Sequence, residues 1–363
     1  MLTLEPNLST SPPFQQGSGS AMSIHDAVPL TSKTSFRLLE FVPGPASKSS
    51  GQICCKLYAA DLATSPNYVA LSYMWGRDPA TKKIVINDRT FLVRQNLWDF
   101  LRRAQDEPPP YHGPLWIDAI CIDQENILER GHQVALMGEI YSNTQLVISW
   151  LGASDEKYAD GLDYASEVFG KNPPEVVLSK IDPDLPKLEQ ICTLFEHEYW
   201  TRAWIFQEVV LPKQAELWVG SRSVSHRAVY MIENWLHRVE NDKYKQQILR
   251  ILALGEWLHR AKPGRQVLRS VWEESNFVAL LHVTASMKCQ DVRDRVFAIL
   301  SLLDPKERDE LDIVPDYTVS PLELCRLIEG KMGRYHGIKW LFPIDPMSLY
   351  KALEVEPLGI APS

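Results

Sequence analysis

Short apolar runs alternate with amphipathic stretches over the first two thirds of the chain. Ser35–Phe41 and Ile53–Tyr58 read as strands, with a Pro/Gly/Ser-rich loop over 42–51 between them. Tyr68–Met74 (YVALSYM) is an apolar run rich in strand formers, closed by Gly76. Ile84–Ile86 and Thr90–Val93 flank the polar pair Asn87-Asp88, the pattern of a hairpin. Asn96–Arg103 turns helical before the break at Pro108–Pro110. Leu115–Ile120 (LWIDAI) predicts a buried strand. Asn126–Tyr141 places Ile127, Val134, Met137, Ile140 and Tyr141 on one helical face, and Gln145–Leu151 (QLVISWL) is a further buried strand. Continuous apolar strands alternating with helices predict an α/β fold, a mostly parallel sheet covered on both faces.

The pattern then changes. Residues 153–186 are acidic and Pro-bearing, which predicts an insertion (about 153–196) with a short helix. Leu188–Leu211 reads as one long helix or two, stopped by Pro212, and Glu216–Val219 as a final strand. Beyond Arg227 the periodicity is helical, over Ile232–Val239, Gln247–His259, Glu274–Val283 and Asp294–Leu303. Residues 1–33, rich in Ser, Pro, Gly and Gln, show no period and predict a flexible segment. The expected organisation is that segment, an α/β unit over 34–225, and an α-helical region over 226–363.

Composition narrows the function. A net charge of -8 argues against a protein built to grip nucleic-acid phosphates. The apolar runs fall well short of the roughly 20 residues of a spanning helix, and the start of the chain lacks a secretory pattern. The cysteines Cys54, Cys55, Cys121, Cys192, Cys289 and Cys325 form no CxxC pair and read as reduced buried thiols, hence a cytoplasmic protein. No histidine spacing suggests a metal, and no glycine-rich dinucleotide or triphosphate motif is present.

Three stretches together resemble the fungal heterokaryon-incompatibility (HET) family. They are YVALSYMWG at Tyr68–Gly76, LWIDAICIDQENILERGHQVALMGEIYSNTQLVISWLG at Leu115–Gly152, and YWTRAWIFQE at Tyr199–Glu208. Asp123 stands where the family commonly has Asn. Asp294–Ala298 and Pro315–Tyr317 look like segments that often follow the domain. The resemblance implies a cell-death module with a TIR/flavodoxin-like fold. Leu71–Gly76 is similar to the opening TIR strand and loop, and Trp204 to Glu208 keeps the interval of a TIR helix whose Glu cleaves NAD. It therefore nominates Glu208 as catalytic, with NAD as substrate rather than cofactor.

The chemistry suits one carboxylate. Nicotinamide already leaves as a neutral base, so the need is to stabilise a ribosyl cation near its hydroxyls. Ser72, Tyr73, Trp75, Gly76 and Arg77, with Asp118, lie at strand ends where ligands of open α/β sheets sit. Trp204, one turn before Glu208, is a candidate wall for the base. Each has a plainer alternative. Glu208 could be a buried acid satisfied by Arg202, although six residues is poor helical spacing. Trp204, Trp75 and Tyr73 could be core aromatics, Asp118 a turn cap, Arg77 a solvated charge and Cys121 a small buried residue. Gln124, Glu129 and Arg130 could form a polar network at a helix start.

Three functions stay open. One is an NAD glycohydrolase that acts on self-association as a homo-oligomer. Another is a non-catalytic assembly module that works through a partner receptor protein. The third is an enzyme that reuses the fold for another small molecule, with 153–196 as a lid.

Overall fold

The computed structural model describes residues 23–42, 52–106, 113–169, 185–194, 196–226, 228, 277–332 and 346–356. The helices expected over 232–239 and 247–259 lie outside them.

Nine strands form one mixed sheet: β1 (Ser35–Phe41), β2 (Cys54–Asp61), β3 (Val69–Tyr73), β4 (Lys82–Ile86), β5 (Arg89–Val93), β6 (Leu115–Trp116), β7 (Leu146–Gly152), β8 (Ala215–Val219) and β9 (Arg222–Ser225). Their order is β5-β4-β2-β1-β6-β3-β7-β8-β9. The block β6-β3-β7-β8 is parallel, whereas β1 pairs antiparallel with both β2 and β6. β3 sits inside the parallel block and all five of its residues are buried, which is why VALSY lacks polar alternation. Asn87 and Asp88 take φ of 49° and 62°, the twist that a two-residue hairpin requires. The Asn87 side chain also exchanges hydrogen bonds of 3.0 and 2.9 Å with the Leu57 backbone, continuing the edge of β2.

The first helices are α1 (Gln95–Asp106), α2 (Asp118–Cys121), α3 (Ile127–Asn143), α4 (Ala159–Tyr164), α5 (Leu185–Leu194) and α6 (Ile205–Val210). Strand alternation assigns the faces. Phe100 of α1 packs on Trp150 of β7, ring centroids 5.9 Å apart. Ser149, its neighbour, points the other way, as does the paired Ser72. Tyr141 of α3 meets Trp116 edge-on at 5.3 Å on that second face. Asn126 caps α3 through the Glu129 N–H. Glu129 in turn binds the buried Arg37 through both carboxylate oxygens, at 2.5 and 2.9 Å. Arg37 also donates to the carbonyl of Val28, and Ile24 and His25 are buried. The part of the expected flexible lead-in from residue 23 onward is thus docked on the sheet.

Three sequence expectations need correction. The strand at Leu115 ends at Trp116, because Cys121 N–H bonds the Ile117 carbonyl and the chain turns into α2. The stretch Leu188–Leu211, read as one long helix or two running through YWTRAWIFQE, is two helices, α5 and α6, with a break inside that motif: Glu198–Thr201 form a 3-10 turn and Arg202 is extended. There, Lys288 N–H bonds the Thr201 carbonyl at 2.7 Å and Ala203 N–H bonds the Lys288 carbonyl at 3.0 Å, so a distant segment takes the backbone groups a helix would have used. β8 is not the last strand. Gly220 turns with φ 54°, Asp155 accepts from Ser221 N–H and binds Arg222 at 2.8 Å, and β9 follows.

The later helices are α7 (Phe277–Thr284), α8 (Asp294–Leu300), α9 (Pro305–Leu311), α10 (Pro321–Met332) and α11 (Pro346–Ala352). Phe277, Val296 and Phe297 belong to the same buried cluster as the sheet. Glycines of α3 permit this. A Cβ at Gly131 would lie 3.0 Å from the Pro315 oxygen, and one at Gly138 would lie 2.3 Å from Ser301 Cβ. Gly138→Ala should therefore destabilise by about 1–3 kcal/mol despite better helix propensity. Urea denaturation checks this, and Ser301→Gly in the same chain should recover part of the loss.

Candidate functional site

The carboxyl end of β3 carries the densest polar cluster around the sequence-nominated residues. Ser72, facing α6, bonds both the Glu208 carboxylate and, at 2.5 Å, the Tyr199 hydroxyl. Arg202 clamps Glu208 with two parallel bonds of 2.7 Å. The extended backbone at Arg202 makes this possible, because its side chain reaches back over the first turn of α6 instead of following helical spacing. The Glu208 side chain is 2% exposed and that of Arg202 16%, so the pair is largely desolvated. Burial opposes the Arg202 charge, but Glu208 more than compensates and raises its pKa. Opposite Ser72, Ser149 Oγ lies 3.0 Å from His226 Nε2, in the same buried layer.

Asp118, on the first turn of α2, is half-buried. Its oxygens accept from the Trp75 indole N–H at 3.0 and 3.2 Å, and one accepts from Ala119 N–H at 2.7 Å. Burial pushes its pKa from 3.8 up to about 6; Glu208 adds to this and Arg202 opposes it. Arg202 bonds Glu208 alone while its charge also acts on Asp118, which lies near the range where a side chain can both donate and accept protons. Tyr73 is buried, and burial followed by the Asp118 charge lifts its phenol well above 10.

Not every nominated residue joins the cluster. Gly76 has φ 77° and its carbonyl accepts from Arg94 at 2.8 Å, while Arg77 is exposed. Arg94 also lies 5.8 Å from the Trp75 ring, which places a second cation at this loop. Trp204 is half-buried and its side chain lies close enough to Asp294 on α8 to lower that carboxyl's pKa. Cys121 is fully buried and burial raises its thiol to about 12, so it is no ready nucleophile. Sequence reasoning did not nominate Tyr199, Ser149 or His226. Tyr199 stands three residues before Arg202 within YWTRAWIFQE, but only the break in the helix turns both toward Glu208.

The fold and cluster are those of a mixed α/β protein with an arginine-held carboxylate at the end of a central parallel strand. Residues 68–208 match the family described as Heterokaryon incompatibility protein (HET). The chain is 27% identical over 355 residues to "Heterokaryon incompatibility protein 6, OR allele" of Neurospora crassa, an alignment covering 82% of this chain and 51% of that protein. These findings support the HET family, and the chain spans about half the length of the curated relative it matches. No solved structure matches it. Among the described residues, no helix is long and apolar enough to cross a membrane.

Two outcomes are expected from the cluster. Arg202→Met should cost about 3–5 kcal/mol in urea denaturation near neutral pH, because the Glu208 charge stays buried without its partner. The second concerns Asp118, whose folded pKa is raised from 3.8 to about 6. Between those values the folded chain keeps a proton that the unfolded chain loses, so Asp118 lowers stability as pH rises through that window. Asp118→Asn keeps an acceptor for Trp75. It should gain stability relative to the parent as pH rises from 3.8 toward about 6, with no further change above.

Proposed function

We propose that this chain is a HET protein of fungal non-self recognition whose TIR-like unit cleaves NAD at the nicotinamide–ribose bond. The observation carrying the reading is the Glu208 carboxylate held beside Ser72 at the end of β3. In chain order the parallel strands β3, β6, β7 and β8 run second, first, third, fourth across the block, the flavodoxin-like order. The order reverses between β3 and β7, and ligands of such sheets sit outside the strand ends at that reversal. Glu208 would stabilise the ribosyl cation, with Asp118 beside it as a proton-exchanging group. Arg202 occupies the Glu208 carboxylate in the described state, so activity requires that it turn away, toward the pyrophosphate of the substrate. Self-association is the proposed event that moves it, in the cytoplasm and in response to a partner receptor.

A second reading has its own support. A glutamate 2% exposed and clamped by arginine is also how a fold satisfies a structural acid. In that reading the chain is an assembly module and the cluster fixes α6 on the sheet. The reading as an enzyme for another small molecule rests on residues 153–196, of which 170–184 and 195 lie outside the described residues.

Nicotinamide release from NAD by the purified protein, with and without a crowding agent, separates the readings. Glu208→Gln is the apt variant because it keeps an acceptor for Ser72 and for Arg202, whereas Glu208→Ala would strand the guanidinium. The glycohydrolase reading expects release by the parent chain and at least about a 10²-fold loss in the variant, assayed below the variant's own melting temperature, which the unpaired Arg202 charge should lower. Equal release by both would remove Glu208 from catalysis, and none from either favours the assembly module.

A further inference from the structure

Two serines on neighbouring strands belong to one buried polar chain. Ser72 of β3 and Ser149 of β7 are register partners, so their side chains leave the same face of the sheet side by side. Ser72 Oγ bonds the Glu208 carboxylate and, at 2.5 Å, the Tyr199 hydroxyl. Ser149 Oγ lies 3.0 Å from Nε2 of His226, the residue that follows β9. Tyr199 stands within reach of both serines. Burial and then the Glu208 charge raise the pKa of its phenol, and the Ser149 and Ser72 side chains lower it. Ser72, Ser149, Tyr199 and His226 are all buried, so these groups satisfy one another rather than bulk solvent.

The end group orients the chain. A carboxylate only accepts, so Ser72 donates to Glu208. With its one proton committed, Ser72 must accept from Tyr199, and Tyr199 in turn from Ser149. Ser149 then has no proton left to give, so His226 must donate to it through an Nε2–H. A hydroxyl that accepts becomes a better donor, so a chain pointing one way strengthens the bond at its far end. We propose that His226 is a positioning residue for Glu208, holding the carboxylate at the end of β3 through a one-way relay of Ser149, Tyr199 and Ser72. The role rests on the reading of Glu208 as the group that stabilises the ribosyl cation. In that reading Arg202 leaves the carboxylate, and the relay is what keeps it in place. His226 itself touches no reacting atom and acts only through the serines and the tyrosine.

Nitrogen-15 NMR of the full chain, labelled at its nine histidines, reads the relay without turnover. His226 is assigned by the signals lost in His226→Gln. Its ring should carry hydrogen on Nε2, and a neutral ring with hydrogen on Nδ1 alone would overturn the proposal. Glu208→Gln should displace the His226 resonances, and adding Tyr199→Phe should remove most of that displacement. If Tyr199→Phe does not fold, Ser149→Ala cuts the same relay. An equal displacement with the relay cut would mean that the Glu208 charge acts through space, which overturns the proposal as well. Nicotinamide release tests the consequence. His226→Leu should lower kcat about tenfold at unchanged KM, the scale of one neutral hydrogen bond. His226→Gln, whose amide N–H can donate to Ser149, should keep most of the parent rate. An undiminished kcat in His226→Leu would remove the positioning role. Absence of release by the parent chain would end the glycohydrolase reading alone, and the His226 resonances would still uphold or overturn the relay.

Discussion

Everything at the end of β3 depends on the ion pair between Arg202 and Glu208. A carboxylate cannot be buried alone at tolerable cost, and here it has two arginine bonds and a serine hydroxyl. The pair sets requirements on its surroundings. Arg202 must leave the helix so that its side chain can reach back. That extended backbone must in turn find hydrogen-bond partners, which the main chain of Lys288 provides. A residue from beyond the sheet thereby fixes the geometry of the cluster on the sheet.

The same dependence explains how the later helices join the core. Trp204 and Gln207 both reach toward α8, one to Asp294 and the other to the Ala298 carbonyl. Gly138 lets Ser301 close on α3, where any side chain would collide. Asp294 itself is buried, bonded to the Tyr317 hydroxyl at 2.6 Å, and burial raises its pKa to about 6. The short helix α6 is therefore a hinge of contacts, facing the sheet with Glu208 and the later helices with Gln207. A movement of α8 would be felt at both.

Much of the architecture was legible from residue pattern. The strand at 35–41, the Asn87-Asp88 hairpin, the buried run of β3 and the helix from Asn126 onward follow from apolar period, turn chemistry and capping, all interactions between near neighbours. Legibility failed where a distant residue changed the local choice. YWTRAWIFQE has helical periodicity, yet Lys288 converts its middle to extended chain. LWIDAI reads as one strand, yet it turns at Asp118. Arg-Ser-Val-Ser after Gly220 is too polar to announce a strand, and Asp155 makes the turn that pairs it with β8.

The sequence by itself determined the mixed α/β class of fold, the buried strand β3 and a helix carrying Glu208, because apolar period is written in consecutive positions. Tertiary structure alone decided that Arg202 closes on Glu208 and that Tyr199 joins Ser72. Those choices balance desolvation against pairing between groups far apart in the chain, and that balance exists only once the sheet and the later helices have brought them together.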